Sequence, residues 1–581
     1  MTSSTPVAFS GCAGLIQKPK DEHIRATAIV LCPNWGFDEL CARKFYRHIA
    51  KTLCANGFPT LRFDYPGTVD SLDMVTGESL EDWLNATNAA CDLLKNQTGC
   101  VNVALFGLGL GAMIAQLVSE GRQDIVGLIL SAPVINGRRY LRETSLRAKM
   151  IVEGLGLAPD ALPKQGTSIG GLMMSDQIAT DLKSINLEKN SNSRPIPTLV
   201  WARQTVTADA TFAEHLVKQG VPVTTKSFLG YEYLMDNPTS SKLPLGILNT
   251  LGSWCDSNFP DRMPEPVEKS GADALSIGPA ILQDDEFEEE GLILRTAAPL
   301  HGILCKPKNL IPGPVFVFLN AGYDHHGGWA RNWVKSARAL AREGHPSFRF
   351  DMSNIGDSPE IPGEPDQVLY TDGPINDVSD VLAELADRIS GDFILVGRCS
   401  GAYTAFHAGF RDNRVKEMVL INQLRFIWDT EESITDAARM GPRSMADYKK
   451  KMVDTKTLKR LLAGDINIRG VLRGFSIHAR THISHMLAPV FPNISKYARF
   501  RAECHRMFAG LSERGVPMHL LCSEGDESLE QLCLYFGNQR QGLKKFPLAS
   551  VTTLVNADHN LTPFPVQGEL IQFLKSVARR S

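Results

Sequence analysis

The chain repeats itself, and that constrains its fold more than any other feature. Residues 14–64 and 302–351 share one layout. Each opens with a segment ending in Lys-Pro-Lys (Lys18–Lys20, Lys306–Lys308). Each continues into an apolar run, AIVLCP at 28–33 and VFVFLN at 315–320. An Arg-containing helical stretch, a glycine (Gly57, Gly344) and a second apolar run ending in Arg-Phe-Asp follow. Those tripeptides, Arg62–Asp64 and Arg349–Asp351, stand 287 residues apart. A third match pairs VNVALFGLGLGA at 101–112 with DFILVGRCSGA at 392–402. Strands alternating with amphipathic helices at this pitch predict parallel βαβ units. Two copies predict two α/β domains, 1–258 and 291–581, each a mostly parallel central sheet flanked by helices. The span 259–290 reads as an acidic linker, with Asp284–Glu290 as a solvated run.

The chemistry is legible in the second copy. Gly397-Arg398-Cys399-Ser400-Gly401 follows the strand-like FILV and precedes the helical AYTAFHAGF. Strand, G-x-nucleophile-x-G, helix is a nucleophile elbow. The glycines let strand and helix approach closely around a strained central residue. That residue is Cys399 rather than Ser400, because the repeat sets Gly109 of Gly107–Gly111 opposite it. A thiol needs a base to become a thiolate near neutral pH. On such an elbow the acid and the histidine follow in chain order. PMHLLCSEGD (517–526) ends at Asp526, and SVTTLVNADHN (550–560) ends near His559. His559 is expected to deprotonate Cys399, and Asp526 to fix the ring's tautomer. Asp558 and Glu527 are alternative acids. The N–H of Ser400, with that of Gly322 or Tyr323, is expected to form an oxyanion hole. Arg398, His325 and His326 are candidate substrate contacts. The two histidines also read as solvated loop residues, and nothing points to a metal.

The first copy reads as inert. Val206 falls opposite Asp526 when IPTLVWARQTV is matched to VPMHLLCSEGD. Tyr231 falls opposite His559 when VTTKSFLGYEY is matched to VTTLVNADHNL. With Gly109 at the nucleophile position, the first domain reads as a pseudo-hydrolase that packs on the second, shapes its entrance or holds a partner.

Composition narrows the function. Net charge is −3, from 61 basic and 64 acidic residues, which argues against a nucleic-acid partner or a charged membrane footprint. The longest apolar stretch, Val101–Val118, reads as a strand, a turn and a helix rather than a membrane span. Twelve cysteines without a C-x-x-C pair read as reduced thiols in a cytoplasmic protein. Within an expected helical cap over about 423–514, residues 439–506 hold 15 Lys or Arg against 4 Asp or Glu. That excess reads either as a solvated face or as a cap attracting an anionic or saccharide-linked acyl substrate.

With these motifs in hand, the chain resembles the α/β-hydrolase superfamily near its serine aminopeptidase-like branch. The GRCSGA and ADHNLTP segments are also similar to tandem hydrolases found among bacterial exopolysaccharide genes. The resemblance implies two tandem α/β-hydrolase domains acting at a carbonyl carbon without a cofactor. Cys399 departs from the usual serine, a substitution shared with dienelactone hydrolases and polyhydroxyalkanoate synthases, and puts peptidase activity in doubt. The expectation is an ester or thioester hydrolase working through an acyl-enzyme. An acyltransferase with the same triad and a non-enzymatic scaffold are the alternatives, and a homodimer is open.

Overall fold

The computed structural model describes residues 4–19, 24–155, 157, 166–190, 193–238, 241–262, 278–432 and 496–580. The first half forms an eight-stranded sheet. Its strands are β1 (Ser4–Phe9), β2 (Cys12–Gln17), β3 (Thr27–Cys32), β4 (Thr60–Phe63), β5 (Asn102–Leu108) and β6 (Ile125–Ser131). A separate hairpin, β7 (Thr167–Ile169) and β8 (Leu172–Met174), precedes β9 (Thr198–Ala202) and β10 (Val223–Ser227). The sheet order is β1-β2-β4-β3-β5-β6-β9-β10. Only the β1–β2 and β2–β4 pairings are antiparallel. Every residue of β3 is buried, as expected of a parallel strand covered by helices on both faces.

The second half repeats this plan. Its strands are β11 (Ile281–Gln283), β12 (Phe287–Arg295), β13 (Pro299–Pro307), β14 (Val315–Leu319) and β15 (Ser347–Phe350). Then come β16 (Phe393–Arg398), β17 (Val415–Ile421), β18 (Met518–Ser523) and β19 (Ala549–Leu554). They order as β11-β12-β13-β15-β14-β16-β17-β18-β19, parallel from β15 onward. The repeated glycines Gly57 and Gly344 both hold φ 91 at the turn into β4 and β15, which only glycine adopts freely. The apolar run 101–118 resolves into β5, a turn at Gly109 and the helix Leu110–Gly121. Among the described residues, no helix is long and apolar enough to cross a membrane.

The acidic run is not a solvated linker. Asp284–Glu286 form the turn between β11 and β12, and Glu288–Glu290 lie within β12; the two strands extend the second sheet. Alternation along β12 turns Glu289 inward, where it is 1% exposed and pairs with Arg338 and Arg349 at 2.7 Å each. A charge count misses this because strand period, not sign, decides which carboxylate faces in. Residues 263–277 lie outside the described residues, as do 433–495 of the expected cap. The cap's described C-terminal part is the helix Lys496–Glu513.

The two copies meet through equivalent residues. Arg62 of β4 pairs with Asp357, and Arg349 of β15 pairs with Asp70 at 2.9 Å. Asp70 and Asp357 stand at the same 287-residue offset as the two arginines. The contact is therefore reciprocal, like the isologous face of a two-fold dimer. His326 joins the two halves, with Nε2 on Asp70 at 2.6 Å and Nδ1 on Asp351 at 2.9 Å. Arg43 reaches Asp64 of its own domain and Asp357 of the other. Each charge has an opposite partner, and all but the partly exposed Arg43 are buried, the condition under which buried ions are tolerated.

Candidate active site

β16 delivers Cys399 into a sharp turn ahead of the helix Ser400–Arg411. Cys399 sits at φ 55, ψ −119, a region that costs a non-glycine residue about 1–3 kcal/mol. Packing enforces it. A Cβ on Gly397 would lie 2.2 Å from Gly401 O, and one on Gly401 would lie 2.3 Å from Asn320 O. Ser400 is one step past the turn. Its Oγ accepts the Gly322 N–H at 2.8 Å and so points into the fold.

Three strand ends bring the acid and base to this elbow. Asp526 follows β18, where one carboxylate oxygen caps the next helix at Ser528 N, 2.9 Å away. The other accepts from His559 Nδ1 at 2.8 Å. His559 follows β19, and Asn422 Nδ2 holds its carbonyl at 2.9 Å. The alternative acids are occupied elsewhere. Asp558 accepts from Thr562 N and Oγ1, and Glu527 pairs with Arg425 at 2.8 Å. His559 Nε2 is buried without a hydrogen bond of standard geometry, and through it the ring couples to Cys399.

The electrostatics favour an ion pair. Burial pushes the Cys399 thiol up, but the His559 ring, the Arg398 guanidinium and the Ser400 N–H outweigh it and hold its pKa below the ordinary thiol value. Burial disfavours the charged form of His559, yet Asp526 and Cys399 raise its pKa to about 10. Burial likewise opposes ionisation of Asp526, and His559 holds it below the usual carboxylate range. Together these directions describe a thiolate beside an imidazolium.

The remaining expected residues separate into two groups. The Gly322 N–H is taken by Ser400, whereas the Tyr323 N–H bonds to nothing among the described residues. Arg398 is buried and its guanidinium is engaged by Asp324 at 2.8 Å and Asn560 at 2.5 Å, so it acts on the thiol by charge and does not reach for substrate. His325 and His326 are neither solvated nor substrate contacts. They are 2% and 3% exposed, and His325 Nε2 meets Glu39 of the first domain at 3.2 Å. Sequence reasoning missed Tyr370, whose hydroxyl interacts with Cys399. Tyr370 stacks on Trp428 at 4.4 Å and meets Tyr403 edge-on at 5.0 Å, forming an aromatic wall beside the thiol. Nothing in its loop signals this role. Only its left-handed backbone, φ 60, marks it, and that is a property of the structure.

Residues 27–223 match the serine aminopeptidase S33 family, and residues 314–465 match the alpha/beta hydrolase fold family. The chain is a tandem α/β-hydrolase. Solved structures similar to it include Est1E from Butyrivibrio proteoclasticus with ferulic acid bound, 16% identical, TM-score 0.33, covering 44% of this chain and 100% of that one. The esterase domain of a Rhodothermus marinus protein is 18% identical, TM-score 0.32, covering 44% and 98%. A carboxyl esterase from Bacillus coagulans is 14% identical, TM-score 0.31, covering 45% and 100%. No curated protein sequence matches the tandem hydrolase.

The serine aminopeptidase match falls on the half of the tandem hydrolase that lacks a nucleophile. Gly109 keeps the elbow geometry, φ 60, ψ −116, without a side chain to react. The place of a side chain is occupied: a Cβ there would lie 2.6 Å from Asn34 Nδ2. Asn34 Oδ1 accepts from Trp35 N at 2.9 Å and Leu110 N at 3.3 Å. By strand register those are the counterparts of Gly322 N and Ser400 N. The backbone N–H after the first elbow, the counterpart of Ser400 N–H, is therefore taken by the chain's own carboxamide. Val206 and Tyr231 line the same cleft, a cavity of about 510 Å³. One expected pairing shifts. β10 pairs Val223 with Thr198 and β19 pairs Ala549 with Met518, so register sets Tyr233, not Tyr231, opposite His559. The sequence match on VTT slips by two residues, and Tyr231 reaches the cleft through a different loop course.

Proposed function

We propose that the second domain cleaves ester or thioester bonds through Cys399, and that the first domain has no turnover of its own. The observation that carries this reading is the thiol on the strained elbow, beside a histidine anchored by Asp526. The Cys399 thiolate attacks the carbonyl carbon, and the C=O electron pair moves onto oxygen. Ser400 N–H and Tyr323 N–H stabilise that oxyanion. As the tetrahedral carbon collapses, the bond to the leaving alcohol or thiol breaks, and His559 gives that group its proton. A thioester acyl-enzyme remains. Neutral His559 then takes a proton from water, whose oxygen attacks the thioester, and the acid leaves as Cys399 returns to thiolate. An amine leaves only once His559 has protonated it, whereas a thiol or activated alcohol leaves more readily, which favours esters and thioesters over peptides. The aromatic wall of Tyr370, Trp428 and Tyr403 suits an apolar acyl portion. The basic span 439–506 suits an anionic carrier on the same substrate.

Intact-protein mass spectrometry after exposure to p-nitrophenyl acetate and acetyl thioesters tests this. The reading expects one acetyl adduct on the wild type and on Ser400→Ala, and none on Cys399→Ala. An adduct that survives Cys399→Ala and disappears in Ser400→Ala contradicts it. Adduct lifetime with added alcohols or amines separates hydrolysis from acyl transfer.

A further inference from the structure

The loop carrying the oxyanion donor belongs physically to both domains. Residues 320–331 leave β14 with Tyr323, then cross the seam. Trp329 and Ala330, though in the second copy, sit in the hydrophobic core of the first. Trp329 packs edge-on against Phe37 at 6.0 Å. Arg331 donates to three carbonyls of the first domain, Gly67, Val69 and Ser71, at 2.7–3.1 Å. Glu39 and Asp70 hold the loop's two histidines from the same side.

The histidine loop is reached from the first domain as well. The β7–β8 turn, Gly170–Gly171, wedges against the second domain. A Cβ on Gly171 would lie 2.8 Å from Ala330 Cβ and 2.8 Å from Thr562 O. Thr562 lies three residues past His559 and bonds back to Asp558 through N at 2.6 Å and Oγ1 at 2.8 Å. Trp329 Nε1 donates to that Oγ1 at 3.1 Å, which ties the two loops together under the turn. Gln567 Nε2 contacts both Gly171 O and Thr562 O.

We propose that the first domain is the positioning half of the catalytic site: its Gly170–Gly171 turn, seated between Ala330 and Thr562, sets the Tyr323 loop and the His559 loop in register with Cys399. This rests on the Cys399 reading above and says why a chain keeps a domain whose own elbow is blocked. Gly171 is a positioning residue, since it touches no reacting atom.

The test uses the full chain and two readouts, the pH profile of Cys399 alkylation by iodoacetamide and the rate of acylation by p-nitrophenyl acetate. Gly171→Ala places a methyl where neither neighbour has room. It is expected to slow acylation about 10- to 100-fold, the scale of a sub-ångström to ångström misplacement. It also moves the alkylation midpoint up by about one pH unit as His559 withdraws. Gly220→Ala is the control. Gly220 is equally left-handed, φ 83, in the same domain, but a Cβ there meets nothing within 4 Å. Its strain lowers stability without moving either readout. Trp329→Phe keeps an aromatic ring in the seam but loses the Thr562 bond and part of the indole's packing. It shifts both readouts in the same direction by less, and decides the matter if Gly171→Ala does not fold. Profiles of Gly171→Ala and Trp329→Phe that superimpose on a reactive wild type overturn the proposal alone. So does an equal shift in Gly220→Ala. A wild-type Cys399 that neither alkylates nor acylates overturns the catalytic reading and this inference with it.

Discussion

Two elbows in one chain share a backbone and differ in everything that reacts. Gly109 and Cys399 differ by 5° in φ and 3° in ψ. One faces a carboxamide that takes the backbone N–H following it, and the other faces an anchored histidine. The strain of the turn is thus a property of strand, helix and flanking glycines, kept in both copies by packing. Reactivity is a separate layer, set by a few side chains at strand ends. A fold therefore retains the shape of a site after losing the chemistry, and the shape alone does not assign a function.

The comparison can be broken at the nucleophile first. Cys399→Ala is expected to lower kcat/KM for an activated ester by about 10⁴-fold or more, as measured by initial rates. Substitution at the other elbow does not restore it. Gly109→Cys introduces a thiol against Asn34, and the cleft on that elbow has no histidine among its described lining residues. It is expected to show no acyl adduct by mass spectrometry and a loss of about 1–3 kcal/mol in urea unfolding.

The reciprocal seam sharpens the comparison next. Asp70→Asn leaves Arg349 and His326 short of a buried partner, and Asp357→Asn does the same to Arg43 and Arg62. Each is expected to cost about 3–5 kcal/mol in chemical denaturation. The two losses should be similar if the halves are equivalent at this face. The pH dependence follows from the directions of shift. Burial opposes ionisation of Asp70, but His326 and Arg349 hold it well below its ordinary 3.8, so its contribution is present above that value and lost as pH falls. Burial opposes the charge on His326, but Asp70 and Asp351 hold it well above its ordinary 6.5. That contribution is complete below 6.5 and is lost as pH climbs through the raised value. Wild-type stability should therefore fall on acidification below about pH 4, and Asp70→Asn should flatten that fall in pH-jump denaturation curves. Smallest of all, Ser400→Ala removes one hydrogen bond to Gly322 N and is expected to change acylation by less than about tenfold, near the 1 kcal/mol of a single bond.

Much of this was legible in the sequence because it follows from periodicity and order. The repeat disclosed two sheets, the glycines disclosed the turn, and chain order pointed to Cys399, Asp526 and His559. What stayed hidden depends on contacts that chain order does not show, 49 to 286 residues apart in the charged cases. His325 and His326 look like loop residues until Glu39 and Asp70 are brought beside them. Glu289 looks solvated until the β12 pleat turns it onto Arg338 and Arg349. The role of Asn34 has no sequence signature, since a single carboxamide after a strand is ordinary until its oxygen is found between Trp35 N and Leu110 N. Tyr370 is similar, a loop aromatic whose place is fixed only by Trp428 and Tyr403.

The central claim is that only one of twelve free cysteines is an activated nucleophile. The direct measurement is substoichiometric alkylation with iodoacetamide at pH 6.5, followed by peptide mass mapping, with exposed Cys533 as the internal reference. The thiolate of Cys399 persists as pH falls until its lowered pKa is reached, so Cys399 is expected to be modified well before Cys533, and His559→Ala is expected to abolish that lead. Modification of Cys533 first, with Cys399 unreactive until alkaline pH, would contradict the account.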